Sequence, residues 1–529
     1  MKKLQVLLFL GLFLVLLISG FFVTFRSLDP DFGWHLKTGQ LILERGVPYQ
    51  DWYSYTMPSF PWVDHEWLMD VFIYLIYSDI GFYGLLLCFL TVYTLSFFII
   101  KRPGQSFYNL VFPIGLGFFS TMGFLGVRPQ LFTVFFIAVL LMALYKFLEG
   151  NSKLIYFAPI LFALWANLHG GFLAGLVILF LAIVLELFQK AVLSKKFKYL
   201  TFFERFSLKE HSYKKIVHLS IILSLSFLAT LINAYGPRVY EEIFRSLGDN
   251  FLKFHIGEWL PLIFGTFSWT ITLYIGVFLG LLLMAYKKVL FRDVAFSLIF
   301  LAFAISSQRN YLIFVIVSMP VVADMLIIFW KRIDVKWLQS ELVGYKKWAA
   351  VFLVAGLAIF FSYLMHNYLA DVLENDFNNK YPVDAVSFIR ALPLSENMFN
   401  DYGWGGYLIW KIPERKYFID GRMPSWRENG QFAFGDYVKI SSGEPGFENI
   451  LKKYDVKLAL LKKADTIEND FKNQSSNQLA NIIKPFFEKH KILYSFLGVN
   501  PNESFYSQLM KSGWNQIYDD GVAVVLEKQ

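Results

Sequence analysis

Two aspartates, a tryptophan and a histidine occur within the stretch RSLDPDFGWHLKTGQ, which spans residues 26–40. A second polar cluster, WVDHEWL at 62–68, contains an aspartate, a histidine and a glutamate in succession. Carboxylates gathered in one loop can deprotonate the hydroxyl group of an acceptor or hold a divalent cation. These two clusters are therefore candidates for the acidic half of an active site.

Basic residues recur in later turns of the chain. They are Arg128 in GVRPQ, His169 in WANLHGG, Arg238 in NAYGPRVYEE and Arg309 in SSQRN. Such side chains can neutralise a leaving phosphate, and a guanidinium group can form two parallel hydrogen bonds to it. Together with the acidic clusters they predict a site for a substrate that carries a phosphate.

The composition indicates that membrane helices must position these side chains. Of the 529 residues, 56% are hydrophobic and 17% are charged, and the apolar residues come in runs of about twenty, the length that crosses roughly 30 Å of hydrocarbon. The net charge of +8 comes from basic residues between these runs. That placement is typical of cytoplasmic loops facing anionic lipid and argues against a nucleic-acid partner. The one cysteine, Cys88, lies in an apolar run, so no disulfide framework is expected.

We predict a polytopic α-helical membrane protein with about eleven spans, the first being a retained N-terminal helix rather than a cleaved signal peptide. The spans lie roughly at 4–25, 80–100, 106–126, 129–148, 153–169, 171–193, 215–234, 269–286, 291–307, 310–330 and 348–370. Lysine and arginine alternate between abundant and sparse in successive loops, which places the N-terminus in the cytoplasm. The polar clusters then all lie at the outer mouth of a bundle formed by residues 1–370, whose first outer loop is 26–79.

Residues 371–529 have a different composition. VDAVSFIRAL has helical spacing, VKLALL and GVAVVLE are typical of short strands, and NQIYDDGVAVVLE predicts a β-hairpin around Asp-Gly. We predict one C-terminal extracytoplasmic α/β domain.

Simpler structural roles are open to the same polar residues. Asp29 or Asp31 could cap a helix that begins at Phe32, and Asp64 could cap a second short helix. A single arginine at a helix end commonly snorkels to lipid phosphate, and His169 could pack in a turn. An interfacial aromatic belt would account for Trp34, Trp62, Trp67 and Trp259. The joint pattern favours function, because ionisable residues at bilayer-end positions are costly unless they pair or line a wet cavity.

The first outer loop, which begins DPDFGWH after a single span, resembles that of the GT-C superfamily of membrane glycosyltransferases. This superfamily includes protein mannosyltransferases, aminoarabinose transferases and oligosaccharyltransferases, which transfer sugars from lipid-phosphate donors. The resemblance implies a GT-C-like bundle with Asp29 and Asp31 at the acidic positions. Asp31 would be the catalytic base or, with Asp29, a ligand of a divalent cation such as Mg²⁺ or Mn²⁺, supported by His35 and Glu66.

The tail contains a second likeness. FNDYGWGGYLIW (399–410), followed by FIDGR (418–422), is similar to the WWDYG region with which oligosaccharyltransferases bind the acceptor sequon. Only Asp401, Tyr402 and Gly403 match, and Phe399 and Asn400 replace the paired tryptophans, so sequon binding does not carry over. The layout of WHL.TG, RPQ, W.NLHGG, N.YG, EW.P, YGWGGYLIW and DGR is also similar to a widespread bacterial family of polytopic GT-C-like proteins.

The tail residues that would cap the site or present the acceptor are Asp401, Tyr402, Trp404, Asp420 and Arg422. In a structural alternative, the glycines of YGWGG form a tight turn before a strand YLIW, and Asp420 and Arg422 make a local ion pair.

These features predict an inverting glycosyltransferase of the outer face of the cytoplasmic membrane. It would take a hexose or pentose from a polyprenyl phosphate and pass it to a hydroxyl or other group of a glycan, lipid or protein. The donor phosphate would bind Arg128, His169, Arg238 and Arg309. One alternative is a non-catalytic, membrane-anchored protein of glycan binding or assembly. The other is a transporter of lipid-linked substrates, which predicts an internal repeat and charges at mid-membrane depth rather than at one end of the bundle.

Overall fold

The apolar runs fold as helices, because backbone N–H and C=O groups in hydrocarbon can pair only with one another. The computed structural model of the protein describes residues 2–150, 152–194, 198–263, 269–332, 380–463 and 505–529. The helices of the first part are α1 Lys2–Thr24, α2 Phe32–Arg45, α3 Trp67–Ile99, α4 Phe107–Ser120, α5 Gln130–Gly150, α6 Ala158–Leu168, α7 Phe172–Leu193, α8 Tyr213–Thr230, α9 Arg238–Gly248, α10 Asn250–His255, α11 Trp269–Ala285, α12 Phe291–Ser306 and α13 Tyr311–Arg332. Short 3₁₀ turns lie at Met122–Phe124, Leu154–Phe157, Lys198–Arg205, Gly257–Trp259 and Gln308–Asn310.

Within the described ranges, ten of the eleven predicted spans coincide with helices, whereas 348–370 lies outside those ranges. Among the residues that the structure describes, six helical segments are long and apolar enough to cross a membrane: Val6–Thr24, Trp67–Ile99, Gln130–Gly150, Phe172–Leu193, Tyr213–Thr230 and Gln308–Trp330. Shorter apolar helices occupy Phe107–Ser120, Leu154–Leu168 and Trp269–Ala285. The chain is thus a multi-pass membrane protein, and its full number of spans stays a prediction.

Helix α3 differs from the prediction at its start. It begins at Trp67 rather than near residue 80, and it kinks at Gly81, whose φ of 70° breaks the helical path. The predicted outer loop 26–79 is therefore helical over much of its length, because α2 also lies within it. This early start of α3 places Asp70 on a helix beside the acidic clusters.

The described part of the tail contains a mixed four-stranded sheet with the strand order β1-β2-β4-β3. Its strands are β1 Asn397–Asn400, β2 Val456–Lys462, β3 Trp514–Asp519 and β4 Ala523–Lys528, and its helices are α14 Ala385–Ala391, α15 Gly405–Lys411, α16 Ala433–Ser441, α17 Phe447–Lys453 and α18 Phe505–Lys511. Strand β1 runs parallel to β2, and the other pairs are antiparallel. The predicted α/β tail is confirmed, with its hairpin and its VKLALL strand. The YLIW segment belongs to helix α15, so the strand proposed there is wrong.

The first outer loop packs into the core of the tail. Tyr417 N–H donates to Tyr53 O at 2.9 Å, Tyr55 N–H donates to Tyr417 O at 3.1 Å, and Thr56 Oγ1 donates to Phe418 O at 2.7 Å. Trp34, Phe60 and Trp62 of the loop share one hydrophobic cluster with Trp404 and Trp426 of the tail. The loop and the tail are therefore built together. The predicted division at residue 370 falls outside the described residues and stays a prediction.

Two glycines allow a close approach between the backbones of the loop and the tail. A Cβ atom on Gly33 of α2 would overlap the carbonyl of Gly406 on α15, and one on Gly406 would overlap the carbonyl of Pro30. The glycines of the YGWGG motif thus allow helix α15 to lie against α2, since only a residue without Cβ fits there.

Replacing Gly33 by Ala is expected to destabilise the protein by about 3 kcal/mol, because the new methyl group meets backbone that cannot move aside. The thermal unfolding midpoint of the detergent-purified protein measures the loss. Gly11→Ala, where nothing lies within 4 Å of the added Cβ, is the matched control. Equal midpoints for the two variants would show that α2 and α15 are not in this close contact.

A buried ion cluster joins the helices at the other end of the bundle. Arg292 Nη2 lies 2.9 Å from Glu149 Oε1, and its Nη1 lies 3.3 Å from Glu186 Oε1. Arg102 pairs with Asp293 and Asp324, and Asp293 is fully buried. The bundle therefore has charged residues at both of its ends. The sequence alone did not show that these residues of separate helices meet.

Candidate functional site

A cavity of about 650 Å³ lies at one end of the helix bundle, at the ends of α5, α7, α12 and α13. It is also lined by the first outer loop, α9, α10 and the tail segment 421–426. Of the thirteen residues predicted for the site, nine line it: Asp29, Asp31, His35, Glu66, Arg128, His169, Arg309, Tyr402 and Arg422. The structure thus brings together residues that lie hundreds of positions apart in the chain.

Asp31 stands at the start of α2, on the wall of the cavity. Its backbone N–H donates to Asp29 Oδ1 at 3.0 Å, and its Oδ1 accepts from Trp34 Nε1–H at 2.9 Å. The Asp31 carboxylate makes no capping hydrogen bond to the helix, so that simpler role is wrong. Burial, and then the neighbouring Asp29 carboxylate, raise the pKa of Asp31 to about 6. Asp31 is therefore a carboxylate whose basicity suits proton transfer near neutral pH.

Two arginines and two acids form an alternating chain along the cavity. Arg128 Nε lies 2.5 Å from Asp29 Oδ2, and Arg128 Nη1 lies 4.0 Å from Glu258 Oε2. On the other side, Arg309 Nη1 lies 3.8 Å from Glu258 Oε1 and its guanidinium stacks over Trp259. Glu258 is exposed and only loosely held between the two arginines, so their inner N–H groups remain available to an anion.

Glu66 is surrounded by three imidazole rings. His169 Nε2 and His65 Nε2 lie 3.3 and 3.6 Å from Glu66 Oε1, and His35 Nε2 lies 3.6 Å from Glu66 Oε2. Burial raises the pKa of Glu66 to about 7, against the opposing pull of His35. Burial, Arg309 and His35 together lower the pKa of His65 to about 4, which keeps this ring neutral.

Buried partners hold two of these imidazole rings, those of His35 and His169. His35 Nδ1 lies 2.6 Å from Asp70 Oδ1, and Asp70 is fully buried on α3. His169 Nδ1 lies 2.7 Å from Thr133 Oγ1 and accepts from Gly171 N–H at 2.9 Å. The side chain of Thr133 in turn accepts from Trp165 Nε1–H. Each ring is therefore held at Nδ1 and presents Nε2 to Glu66.

The tail contributes the segment DGRMPSW (420–426) to the wall. Arg422 Nε and Nη2 donate to Asp420 at 2.8 and 2.7 Å, which confirms the local ion pair, and Nη2 also reaches Asp51 of the first outer loop at 2.9 Å. Trp62 and Trp426 flank the guanidinium group. A Cβ atom on Gly421 would overlap Asp31 Oδ1, so this segment lies directly against the Asp31 carboxylate.

Four predicted residues do not line the cavity. Arg238 begins α9 one turn before the lining residue Glu242. Asp401 accepts from Gly403 N–H at 2.9 Å and caps a short turn, and Trp404 is buried with its Nε1–H donated to Lys380 O. Asp420 acts through Arg422.

Trp34 and Trp62 were expected in an interfacial belt, but both are buried and line the cavity, because the tail covers them. The interpretation of Asp64 as a helix cap is also wrong. Its Oδ1 accepts from Glu66 N–H at 3.2 Å, whereas α3 begins at Trp67 without a side-chain cap. Both errors arise where the fold supplies a partner that the local sequence does not contain.

Sequence reasoning omitted several residues of the site. They are His65, Glu242 and Glu258, which line the cavity, and Asp70, which holds His35. A signal for Asp70 did exist: it follows Glu66 by four positions, the spacing that places two side chains on one face of a helix.

The predicted divalent cation does not match the side chains as they stand. Asp29 is engaged by Arg128 and Asp31 by Trp34. Across the described ranges, no group of three or more His, Cys, Asp and Glu side chains has the geometry of a metal site. No step proposed below passes through a metal ion, and Mg²⁺ or Mn²⁺ dependence stays a prediction.

Comparisons by sequence give no match: no protein-family model and no curated protein resembles the chain at a significant level. Comparison of structures does. The oligosaccharyltransferase of the archaeon Archaeoglobus fulgidus, tethered to an acceptor peptide containing the NVT sequon, superposes with a TM-score of 0.54 at 12% sequence identity. The same enzyme in complex with an inhibitory peptide and a dolichol-phosphate gives 0.53 at 13%, and its apo form gives 0.52 at 13%.

Each superposition covers 86% of this chain and 69% of the archaeal one. At so low an identity the likeness concerns the fold alone. The fold shared with this archaeal oligosaccharyltransferase agrees with the GT-C-like bundle that the DPDFGWH loop predicted.

Proposed function

We propose that the protein is a glycosyltransferase that moves a sugar from a polyprenyl phosphate to an acceptor hydroxyl, with inversion at the anomeric carbon. One observation carries the proposal: a single cavity between the membrane helices and the tail holds the Asp31 carboxylate together with Arg128 and Arg309. The dolichol-phosphate complex of the archaeal enzyme supports it, because that protein of the same fold binds a lipid phosphate.

The donor phosphate lies between Arg128 and Arg309 in this proposal. Glu258 now occupies that position at contact distances of 4.0 and 3.8 Å. A phosphate brings more charge and can take two parallel N–H···O bonds from each guanidinium, so it displaces Glu258 from the arginines. The imidazole of His169 lines the same wall and faces the phosphate across Glu66.

The lipid tail of the donor follows the apolar part of the cavity. This lining comes from the ends of four helices: Leu173 and Val177 of α7, Ile243 of α9, Phe303 of α12 and Ile313 of α13. An isoprenoid chain buried there gains the free energy of removing apolar surface from water, whereas a water-soluble donor would gain none. The cavity therefore suits a donor with a charged head and a long apolar tail.

Asp31 is the base that accepts the proton of the acceptor hydroxyl. The hydroxyl oxygen attacks the anomeric carbon from the face opposite the phosphate, the carbon–oxygen bond to the phosphate breaks, and the bonding electrons leave with the phosphate. Tyr402 and Arg422 of the tail line the cavity near Asp31 and present the acceptor. The developing charge on the phosphate is stabilised by the two arginines.

The proposal includes a topology. Residues 1–370 form the membrane bundle and residues 371–529 the outer domain, so that transfer takes place on the outer face of the cytoplasmic membrane. In support, the basic run from Lys190 to Lys215 joins α7 to α8 at the end of the bundle that carries the ion cluster, away from the cavity. Basic loops of this kind face the cytoplasm.

The test is the release of free polyprenyl phosphate by the full-length protein in nanodiscs. Synthetic polyprenyl-phosphate hexoses and pentoses are incubated with the protein and with a membrane extract as the source of acceptors. We expect release that requires the extract, that falls in Arg128→Gln, and that is unchanged in Glu241→Gln, an exposed position on α9. Donor binding without release would instead indicate a glycan-binding protein, and movement of intact donor across proteoliposomes would indicate a transporter.

The rate of transfer should fall on the acid side of neutrality. Asp31 accepts a proton only when it is ionised, and burial raises its pKa to about 6. Below that pH the fraction of enzyme with an ionised Asp31 drops about tenfold per pH unit, so this acid limb of the profile reports the base. The pH dependence of kcat/KM for release measures this, and a rate that is flat down to pH about 4 would rule out Asp31 as the base.

A further inference from the structure

We infer that Glu66 donates a proton to the phosphate as it leaves the sugar, and that Asp70, acting through His35, holds Glu66 ready for this step. The inference rests on the proposed function. It adds a general acid and a positioning residue to that function, and it gives a reason for two of the three imidazoles around Glu66, those of His35 and His169.

The first support is the orientation of His169. Its Nδ1 accepts from the backbone N–H of Gly171, which can only donate. The proton of the neutral ring therefore lies on Nε2, and this nitrogen faces Glu66 Oε1 at 3.3 Å. His169 thus presents a donor to one oxygen of Glu66, and that oxygen needs no proton of its own.

The second support is the opposite orientation of His35. Its Nδ1 lies 2.6 Å from Asp70 Oδ1, and we assign the proton of this contact to Nδ1, so that His35 donates it to Asp70. The neutral ring then has its lone pair on Nε2, and this nitrogen faces Glu66 Oε2 at 3.6 Å. Because Nε2 then has no proton to donate, it favours a proton on Glu66 Oε2, the oxygen that it faces.

Glu66 therefore lies between an imidazole that donates and an imidazole that accepts. This arrangement is satisfied when one proton resides on Glu66 Oε2, facing His35 Nε2. The charged and titratable groups around Glu66 are Asp31 before α2, His35 on α2, Asp64 and His65 in its own loop, Asp70 on α3, His169 after α6 and Arg309 before α13. The side chain of Glu66 is nearly buried yet lines the cavity, so its proton can pass to a ligand and not to bulk water.

The position of Glu66 suits the leaving phosphate. The charges of Arg309, a phosphate partner, and of Asp31, the base, both act on the pKa of Glu66. In the reaction, the acceptor hydroxyl gives its proton to Asp31 while Glu66 gives its own to the phosphate oxygen released from the sugar. The products are the glycoside and a monoprotonated polyprenyl phosphate. Asp31 returns its proton to Glu66 through water after the products leave, which restores both groups.

The experiment uses farnesyl phosphate, a short polyprenyl phosphate, bound to the detergent-solubilised full-length protein. The ³¹P resonance of the bound phosphate is followed as the pH rises, and the midpoint of its shift marks half conversion from the monoanion to the dianion. In the wild type, Glu66 shares its proton with the phosphate, whereas in Glu66→Gln the arginines alone set the midpoint. We expect the midpoint of Glu66→Gln to lie at least about one pH unit lower.

Glu258→Gln is the charge control, because Glu258 is another cavity carboxylate beside the same arginines but has no imidazole partner among the described contacts. We expect it to move the midpoint much less than Glu66→Gln does. Equal midpoints for Glu66→Gln and the wild type would overturn the inference, and so would equal shifts in the two variants, since a nearby charge would then explain both. Failure of the wild type to bind farnesyl phosphate would contradict the proposed function itself.

Asp70→Asn tests the positioning role. Asparagine keeps the size of Asp70 and an acceptor for His35 Nδ1–H but removes the acidic group to which we assign the orientation of His35. We expect a midpoint between those of the wild type and Glu66→Gln, with an unchanged affinity for farnesyl phosphate. A loss of folding would instead lower the affinity, and the resonance would titrate as free farnesyl phosphate does. A wild-type midpoint would overturn the role of Asp70.

Discussion

Replacing Asp31 by Asn is expected to lower the rate of transfer by about 10³-fold, the effect of removing a general base from its reaction. Asparagine has the size of aspartate, and its Oδ1 can still accept from Trp34 Nε1–H. The change therefore removes proton acceptance and little else. Donor binding should persist, since the phosphate partners Arg128 and Arg309 are untouched. The loss should appear in kcat for release of polyprenyl phosphate, with KM for the donor nearly constant.

Asp79→Asn is the matched control for this change. Asp79 is exposed on α3, away from the cavity, and its replacement should leave kcat as in the wild type. Equal thermal midpoints for the two variants would show that the loss in Asp31→Asn is chemical rather than structural. Full activity in both Asp31→Asn and Glu66→Gln would mean that the acid–base chemistry lies elsewhere, and the assignment of this cavity as the active site would fail.

The residues that line the cavity were predictable where each one stands at the end of an apolar run. Arg128, His169 and Arg309 follow or precede helices of clear hydropathy, so counting spans and basic loops was enough to place them at one end of the bundle. Asp29 and Asp31 follow α1 in the same way. The membrane restricts how deep such residues lie along its normal, and the hydropathy of the sequence reports this depth.

Other features depended on how each helix is rotated about its axis and on contacts between residues far apart in the sequence. Hydropathy gives information on neither. Asp70 lies in the apolar run of α3 and matters only because α2 packs beside it. Arg238 was assigned by its loop, yet α9 turns its later residues Glu242 and Ile243 to the cavity. Glu258 meets two arginines from separate turns, and no local pattern contains all three.

The tail motif shows the same limit. The glycines of YGWGGYLIW suggested either ligand contact or a tight turn before a strand. In the structure Gly405 packs against the backbone of Ile419 and Asp420, while Gly406 packs against Pro30. A glycine pattern reports that something comes close, but not what it is. The identity of the neighbour is a property of the fold, in this case the first outer loop and the DGR segment.

Gly421→Ala is expected to lower transfer by about 10²-fold, because a displaced catalytic group loses its alignment even when its chemistry is intact. The added Cβ would overlap Asp31 Oδ1, so the carboxylate must turn away and give up its hydrogen bond from Trp34. The obstruction is the end of a side chain rather than backbone, so the fold should survive with a nearly unchanged thermal midpoint.

The control for Gly421→Ala is Gly248→Ala at the end of α9, where the added Cβ meets nothing within 4 Å. The informative comparison is with Asp31→Asn. If the tail acts only by positioning Asp31, the double variant should be no slower than Asp31→Asn alone, because a base that is absent cannot be misplaced. A further loss in the double variant would mean that the DGR segment contacts the acceptor directly. Wild-type activity in Gly421→Ala would contradict the contact between the tail and the base.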